Sequence, residues 1–377
     1  NIMIIKNIKV FRENGVFEDG ELYVDGEVIA ADGLTKDLGE VIDGEGCYAI
    51  PGLTDVHFHG CVGRDFCEGE TDAIEAIAAH QAACGITTIC PATLTLSEEK
   101  LTKIAACAQN YESSKGAILC GINMEGPFIC KAKKGAQNEA YIHKPDAEMF
   151  RRLQKASGGL FKLVDMAPEI DGAMAFIDEV RDEVTVSVAH TMADYETAKA
   201  AFERGARHVT HLYNAMPPLN HREPGVIGAA CENDNVYVEL ICDGIHIHPS
   251  TVRATFKMFG DDRIVMISDS LEASGMPDGD YTLGGLKITL KGKKITLEDG
   301  TIAGSATNLM GCVRTAVKEM GIPLESAVKC AAVNPAKAIG IYDQYGSLTP
   351  GKTANIVLLD EDLNVKAVYI KGKEYTK

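Results

Sequence analysis

The 377-residue sequence has few positive charges and no long apolar run. Its 37 lysines and arginines are outnumbered by 54 aspartates and glutamates, so the net charge is −17. Nucleic acids and anionic membranes repel a chain of that sign at long range, and we expect neither as a partner. The absence of a bilayer-spanning run and of a signal-peptide pattern favours a cytoplasmic location.

The sequence also lacks a C-x-x-C pair, although it contains twelve cysteines. This absence argues against a zinc ribbon and against a thioredoxin-like redox motif. Most of the cysteines lie in apolar stretches, where a thiol behaves as a small hydrophobic group. An apolar content of 46% is ordinary for a globular protein with a large core, so disulfides are not needed for stability.

Short β-branched runs alternate with amphipathic helical segments between residues 50 and 270. Eight strands are predicted: Thr54–Phe58, Thr87–Cys90, Leu119–Met124, Leu163–Met166, Thr185–Val188, His208–Leu212, Tyr237–Ile241 and Ile264–Ile267. Strict alternation of this kind predicts an α/β fold, a (β/α)8 TIM barrel over residues 49–345. The alternative is a doubly wound open sheet, which the lack of a G-x-G-x-x-G motif after the first strand disfavours.

The two ends of the chain have a different character. Residues 1–48 and 346–377 contain short strands separated by turn residues such as ENG, EDG and VDG, which is typical of antiparallel hairpins. We expect the two segments to pair into one small β-sandwich domain. Residues 281–300 predict a further hairpin-like insert after the eighth strand of the barrel.

Chemically active side chains stand where the predicted barrel strands end, the edge at which TIM barrels build their active sites. Four histidines and two carboxylates share that position: His57, His59, Glu125, His190, His211 and Asp269. His57 and His59 are two residues apart on a strand and therefore face the same way. Imidazole and carboxylate groups suit Zn²⁺ or Fe²⁺, so the pattern predicts a divalent metal site.

Several motifs resemble the amidohydrolase superfamily, and in particular its amino-sugar-phosphate deacetylases. The segments that carry the resemblance are IPGLTDVHFHG, MEGPF, KKGAQ, THLYNAM, REPG, DGIHIHP and DGTIAGS. They are spread over nearly the whole chain. The resemblance implies hydrolysis of the acetamide of N-acetylglucosamine 6-phosphate, a small sugar phosphate, in a homodimeric enzyme of amino-sugar catabolism.

The resemblance also implies the roles of the metal-site residues. Glu125, His190 and His211 would bind the principal ion, and intact His57 and His59 allow one or two ions per subunit. Because Lys162 lies at the wrong end of strand four to serve as a bridging group, Glu125 is the expected bridging or central ligand. Asp269 would be the catalytic acid and base, taking a proton from water and giving it to the leaving amine.

A second set of residues is implied to contact the sugar phosphate: Ala136, Gln137, Asn214, Ala215, Arg222, His246, Ile302, Ala303 and Gly304. Some family members carry histidine where this chain has Gln137, which leaves a carbonyl-polarising role at that position open. Arg222 is interpreted as a phosphate clamp, with a surface ion pair to Glu223 as the alternative. The roles of Lys131, Lys133, Lys134 and His248 stay open.

Two other functions fit the sequence. One is another deacylase on the same scaffold, acting on N-acetylgalactosamine 6-phosphate or on a D-amino acid; a neutral substrate would not require Arg222. The other is a barrel scaffold without catalytic activity, against which the complete ligand set together with Asp269 argues. The sequence does not choose between Zn²⁺ and Fe²⁺.

Overall fold

A computed structural model describes residues 1–34 and 37–376; residues 35, 36 and 377, all within the segments assigned above to the small domain, lie outside the described residues. The N-terminal segment forms five strands: β1 (Ile2–Phe11), β2 (Phe17–Asp25), β3 (Val28–Ala30), β4 (Leu38–Asp43) and β5 (Tyr48–Pro51). β1 pairs antiparallel with β2 and parallel with both β4 and β5. The predicted run of short terminal strands is confirmed.

Parallel strands make up the central part of the chain. They are β6 (Leu53–Asp55), β9 (Ile86–Ile89), β10 (Ile118–Leu119), β11 (Ile122–Glu125), β12 (Phe161–Met166), β13 (Thr185–Val188), β14 (His208–Val209), β15 (Tyr237–Ile241) and β16 (Ile264–Ile267). β6, β9 and β10 pair in sequence order, and so do β11 to β16. The predicted third strand is divided into β10 and β11 around Gly121. Most residues of these strands are buried, as expected of a curled parallel sheet with helices outside it.

Helices connect the parallel strands, as the alternation predicts. The α-helices are α1 (Thr71–Ala83), α2 (Glu98–Asn110), α3 (Ala147–Ala156), α4 (Ala173–Val180), α5 (Tyr195–Arg204), α6 (Gly225–Glu232), α7 (Pro249–Phe259), α8 (Leu309–Lys318), α9 (Leu324–Val328) and α10 (Asn334–Ala338). Polar side chains start several of them; Asp146 accepts a hydrogen bond from the Met149 amide, and Asp194 accepts one from the Thr197 amide. Shorter turns are 3₁₀ helices at Phe66–Glu68, Lys131–Lys133 and Glu139–Tyr141, and a π helix at Lys329–Val333.

The remaining strands are antiparallel. A hairpin of β7 (Gly60–Cys61) and β8 (Arg64–Asp65) follows β6, and β17 (Gly279–Leu283), β18 (Leu286–Lys291) and β19 (Lys294–Leu297) form the predicted insert after β16. The chain ends with β20 (Ile356–Leu359), β21 (Val365–Ile370) and β22 (Lys373–Glu374). β20 pairs with β5, so both ends of the chain form one mixed sheet in the order β22, β21, β20, β5, β1, β2, β3, with β4 beside β1.

The buried apolar residues form more than one cluster. The mixed sheet has its own apolar cluster, in which Ile5 and Val10 pack with Ile356 and Tyr369 from the other end of the chain. The larger cluster lies around the parallel strands and their helices. All twelve cysteines are free thiols, and in the described ranges 1–34 and 37–376 no helix is long and apolar enough to cross a membrane.

Arg263, at the start of β16, holds the C-terminal end of α6. Its guanidinium donates hydrogen bonds to the carbonyls of Ala230, Cys231, Asn233 and Val236 at 2.8 to 3.0 Å. Arg263→Ala removes the guanidinium donor from all four carbonyls, although those of Ala230 and Asn233 keep a backbone donor, and we expect a loss of about 2–4 kcal/mol in the free energy of unfolding, measured by urea denaturation.

The matched control for this prediction is Arg253→Ala, because Arg253 donates to the single carbonyl of Met320. We expect that variant to lose less than half as much stability. Equal losses in the two variants would contradict the role given to Arg263.

Candidate active site

Each candidate metal ligand stands at the carboxyl end of a parallel strand. Glu125 is the last residue of β11. Four others follow their strands by two residues: His57 follows β6, His190 β13, His211 β14 and Asp269 β16; His59 follows β6 by four. Since parallel strands end at one edge of their sheet, this common placement brings all of them together from five strands, as the sequence predicts.

Glu125 lies between two groups of possible ligands. Its Oε1 atom is 3.3 Å from Nε2 of His57 and 3.0 Å from Nε2 of His59, and both imidazoles also approach Oδ1 of Asp269, at 3.5 and 3.3 Å. Its Oε2 atom is 3.0 Å from Nε2 of His190 and 3.3 Å from Nε2 of His211. The ligand atoms of each group lie close enough together to hold one ion.

The donor atoms of the first group fit a cation. Nε2 of His57, Oε1 of Glu125 and Oδ1 of Asp269 are buried and have no hydrogen-bond partner in the part of the chain that the structure describes. Buried polar atoms without partners are costly, and carboxylate oxygens facing imidazole nitrogens in such a place are typical of a metal site. The residues therefore fit the divalent ion that the sequence predicts.

The backbone at three of these positions is held in an uncommon conformation. His190, His211 and Asp269 have φ angles of 44°, 26° and 51°, in the left-handed region that side chains other than glycine rarely adopt. Each such residue costs about 1–3 kcal/mol and persists where its surroundings fix it. The Asp269 amide, for example, donates to the carbonyl of His57 at 2.9 Å.

The carboxylates of the site favour positive charge on the neighbouring histidines. Burial by itself disfavours the imidazolium of His59, but Asp269 and Glu125 outweigh burial and raise the pKa of His59 to about 10. Burial also disfavours the imidazolium of His57, but Glu125, Glu239 and Asp269 outweigh burial and raise the pKa of His57 well above its ordinary value. A divalent ion must displace such protons from its ligands, so we expect metal affinity to fall as the pH is lowered.

Outer contacts orient three of the imidazoles. Nδ1 of His190 lies 2.8 Å from the carbonyl oxygen of Lys133, and Nδ1 of His211 lies 3.0 Å from that of Asn214. Nδ1 of His57 instead lies 2.8 Å from a carboxylate oxygen of Glu239. Such contacts direct the opposite ring nitrogen, Nε2, toward the metal position.

A cavity of about 520 Å³ opens above the ligand groups. Twelve of the predicted site residues line it: His59, Glu125, Ala136, Gln137, His190, His211, Asn214, Ala215, His246, Asp269, Ile302 and Gly304. Lys131, Lys133 and Lys134, whose role the sequence left open, also line it. The structure thus brings together most of the residues that the sequence selected.

Three predicted residues do not line this cavity. His57 is fully buried below it, and Ala303 is buried between its neighbours Ile302 and Gly304. Arg222 is exposed. Among the described residues it has no ion-pair partner, and Glu223, the alternative partner, is not in contact with its guanidinium. Its phosphate-binding role stays a prediction.

His246 and His248 have different surroundings. Nδ1 of His246 lies 2.8 Å from Oδ2 of Asp243, whose other oxygen accepts hydrogen bonds from the amides of Ile245 and His246. Asp243 therefore both orients His246 toward the cavity and caps the turn. His248 is exposed, and its Nδ1 accepts a hydrogen bond from the Ser250 amide at the start of α7, which gives it a structural role.

Gln137 and Gly304 have local reasons for their positions. The buried side chain of Gln137 accepts a hydrogen bond from the Thr95 amide at 2.7 Å through Oε1, which leaves its NH₂ group for the cavity. Gly304 has a φ of 54°, and a Cβ there would lie 2.7 Å from the carbonyl oxygen of Asp269. Glycine is required at that position for the close approach to Asp269.

The sequence missed several residues of the site. Glu239 and His208 lie below the ligands, and Leu283, Asp299 and Thr301 bring the insert to the cavity wall. A glutamate inside the otherwise apolar strand YVELI was a usable signal for Glu239, because buried carboxylates need partners. The motif DGTIAGS contains Asp299 and Thr301 and was a usable signal for both, whereas no pattern indicated that Leu283 of β17 reaches the cavity.

Comparisons with known proteins agree with this geometry. The model of the amidohydrolase family matches residues 48–375. The N-acetylglucosamine-6-phosphate deacetylase of Bacillus subtilis (strain 168) is 35% identical over 329 residues, covering 86% of this chain and 83% of the relative. The N-acetylgalactosamine-6-phosphate deacetylase of Escherichia coli O157:H7 is 32% identical over 375 residues, covering 98% of each.

A solved structure is similar over the whole chain. It is a mutant N-acetyl-D-glucosamine-6-phosphate deacetylase from Mycobacterium smegmatis in complex with N-acetyl-D-glucosamine-6-phosphate, with a TM-score of 0.91 and 31% identity, covering 100% of this chain and 99% of that one. This similarity, the family match and the strand-end ligands agree, and the chain belongs to the amidohydrolase family.

Proposed function

We propose that this chain hydrolyses the acetamide of N-acetylglucosamine 6-phosphate, releasing acetate and glucosamine 6-phosphate. The observation that carries the proposal is the meeting of two ligand groups on the two oxygens of Glu125, with Asp269 beside them at the floor of the cavity. The names of relatives that are similar over most of the chain support the choice of substrate.

The chain's own residues suit this reaction. A divalent ion at these ligands would supply Lewis-acid polarisation of the acetyl carbonyl and would make water more acidic. Asp269 accepts the proton of the attacking water on its carboxylate and then donates it to the nitrogen of the leaving amine. The free NH₂ group of Gln137 can donate a hydrogen bond to a substrate oxygen in the cavity.

The proposed ion is Zn²⁺ or Fe²⁺, and the proposed number is two per chain. Both ions accept imidazole and carboxylate ligands, and their supply decides occupancy as much as affinity does. Glu125 is the proposed shared ligand. His57, His59 and Asp269 would complete one position, and His190 and His211 the other.

We further propose that the parallel strands close into an eight-stranded barrel over residues 49–345. Beyond the last strand, the Asp269 amide donates to the His57 carbonyl at 2.9 Å, and the His59 amide donates to the Ser270 carbonyl at 2.8 Å, which joins the first and last strands at their carboxyl ends. Residues 1–48 and 346–377 form the proposed small domain. Its separate apolar cluster supports that division.

The phosphate of the substrate is assigned to the part of the cavity that His246, Asn214 and the lysine-containing turn at Lys131–Lys133 line. Arg222 keeps its proposed role as a phosphate clamp, although it is exposed in the single chain. We also propose that the chain forms a homodimer. Sedimentation of the purified protein tests this oligomeric state.

N-acetylgalactosamine 6-phosphate is the second candidate substrate. The observation in its favour is that the Escherichia coli enzyme of that name matches 98% of this chain and 98% of its own length. The two sugars differ only in the configuration at C4, so the same metal chemistry serves both.

The test is acetate release from four compounds at equal concentration: the two phosphorylated epimers and their unphosphorylated counterparts, with metal content measured on the same sample. We expect the gluco phosphate to have the highest kcat/KM. A higher value for the galacto phosphate would favour the second candidate. No acetate from any of the four, in a sample that contains metal, would refute the proposal.

His246→Ala tests the phosphate assignment. Loss of a hydrogen bond to a charged group costs about 1.5–3 kcal/mol, so we expect KM for the phosphorylated sugar to rise by about 10- to 100-fold with a smaller change in kcat. His248→Ala is the matched control, because His248 caps α7 and does not line the cavity. An unchanged KM in the His246 variant would remove this residue from the phosphate site.

A further inference from the structure

Glu239 is a fully buried carboxylate in β15, and it belongs to neither group of candidate metal ligands. Its Oε1 atom lies 2.8 Å from Nδ1 of His57 and accepts a hydrogen bond from the backbone amide of His211 at 3.1 Å. Its Oε2 atom lies 2.9 Å from Nε2 of His208. Both oxygens thus have donors from other strand ends, which fixes the orientation of the carboxylate.

The contact to Glu239 determines which nitrogen of His57 faces the other candidate ligands. An ionised carboxylate only accepts hydrogen bonds, so Nδ1 of His57 must carry the proton. An ion that displaces the proton of Nε2 then meets a lone pair directed toward Oε1 of Glu125 at 3.3 Å and Oδ1 of Asp269 at 3.5 Å. That is the tautomer a metal ligand requires.

The other ligand group is held differently. Nδ1 of His190 and Nδ1 of His211 both lie against backbone carbonyls, which are neutral. A carboxylate partner brings a full negative charge and makes the imidazole a stronger ligand. Glu239 contacts the second group only through the backbone amide of His211, so its charge acts directly on an imidazole of the first group alone.

We propose that Glu239, held in place by His208, is a positioning residue that secures binding at the metal position formed by His57 and His59, while the position formed by His190 and His211 depends on it much less. The proposal rests on the proposed function, because it assumes that divalent ions bind these ligands.

The experiment is a titration of the metal-free full-length protein with Zn²⁺ against a chromophoric chelator, which resolves the affinity of each binding step. We expect two steps in the wild type. Glu239→Leu should weaken one step by about 10- to 100-fold, the usual cost of losing such an outer partner. His190→Ala should weaken the other step, which assigns the two steps to their positions.

Two further variants separate charge from geometry. Glu239→Gln keeps an oxygen for His57 and His211 but removes the negative charge, so we expect a smaller loss at the same step. His208→Leu removes the donor that holds Oε2, and we expect the same step to weaken again. These milder variants keep the proposal testable if Glu239→Leu does not fold.

Asp165→Asn is the matched control, because Asp165 is also a fully buried carboxylate of the parallel sheet but has no hydrogen bond to a candidate ligand in the described ranges. We expect both steps to stay near their wild-type affinities in that variant. Four results would overturn the proposal: a single step in the wild type, unchanged steps in all Glu239 and His208 variants, equal weakening of both steps, or the same loss in the Asp165 control.

The role of Glu239 and the deacetylase function can fail independently of each other. A wild-type protein that binds two ions but releases no acetate would refute the deacetylase assignment and leave the role of Glu239 intact. A protein that releases acetate while its Glu239 variants titrate as the wild type does would refute only the role of Glu239.

Discussion

Asp269→Asn is expected to lower kcat for acetate release by about 10²- to 10⁴-fold, the range that a general acid and base contributes. Asparagine has nearly the shape of aspartate, so the packing around position 269 should persist. Its amide cannot accept the proton of the attacking water or donate one to the leaving amine. The measurement is kcat and KM on the preferred sugar phosphate, together with metal content.

The readouts separate catalysis from structure. The amide oxygen of asparagine can still face His57 and His59, and the position on Oε2 of Glu125 does not involve residue 269. We therefore expect the variant to keep at least one ion per chain and a KM close to that of the wild type. A wild-type kcat would remove Asp269 from the mechanism, whereas complete loss of metal would show that the lower activity comes from lost ions and not from a lost acid and base.

Glu125→Gln should have an even broader effect, because Glu125 is the residue common to both ligand groups. Its two oxygens face different pairs of histidines, at 3.0 to 3.3 Å. Glutamine offers one oxygen and an NH₂ group that cannot bind a cation. We expect metal content to fall at both positions and acetate release to drop by more than about 10³-fold, the combined effect of losing activated water and electrophilic stabilisation.

His59→Ala is the control for this prediction, because His59 belongs to one group only. It should lose at most one ion per chain, with the ion on Oε2 of Glu125 retained. If Glu125→Gln and His59→Ala lose the same amount of metal, Glu125 is not the shared ligand.

The sequence predicts the strand-end chemistry well because barrel topology converts chain position into spatial position. Residues such as His190 and His211 are 21 positions apart in the sequence, yet both follow a parallel strand by two residues. Parallel strands end at one edge, so the convergence required no knowledge of side-chain contacts. The boundaries of the strands were less predictable, because the structure ends β6 and β14 before the histidines that follow them.

The second layer of the site was not predictable in the same way. His208 and Glu239 meet because β14 and β15 pair in the register that places His208 opposite Tyr237. A shift of one residue would turn Glu239 to the other face of the sheet. Hydrophobic pattern alone does not fix that register in strands that are buried on both sides. The sequence around His208 accordingly gives no sign of its contact with Glu239.

Contacts made by loops were also difficult to predict from the sequence. The insert at β17 to β19 was expected as a hairpin, and the motif DGTIAGS after it was expected at the substrate, but nothing in the alternation of the insert indicated that Leu283 would reach the cavity. Arg222 shows the converse, since a motif suggested a binding role and the structure places the side chain in solvent. Loop positions depend on tertiary packing, which a single sequence does not specify.

The central claim is that this cavity performs metal-dependent deacetylation of an amino-sugar phosphate. The most direct measurement is acetate release from N-acetylglucosamine 6-phosphate by wild-type protein before metal removal, after it, and after Zn²⁺ or Fe²⁺ is restored. We expect the stripped protein to keep less than about 1% of its activity and to recover when the ion returns, because the ion supplies both activated water and carbonyl polarisation. Undiminished acetate release by protein shown to contain no metal would contradict the account.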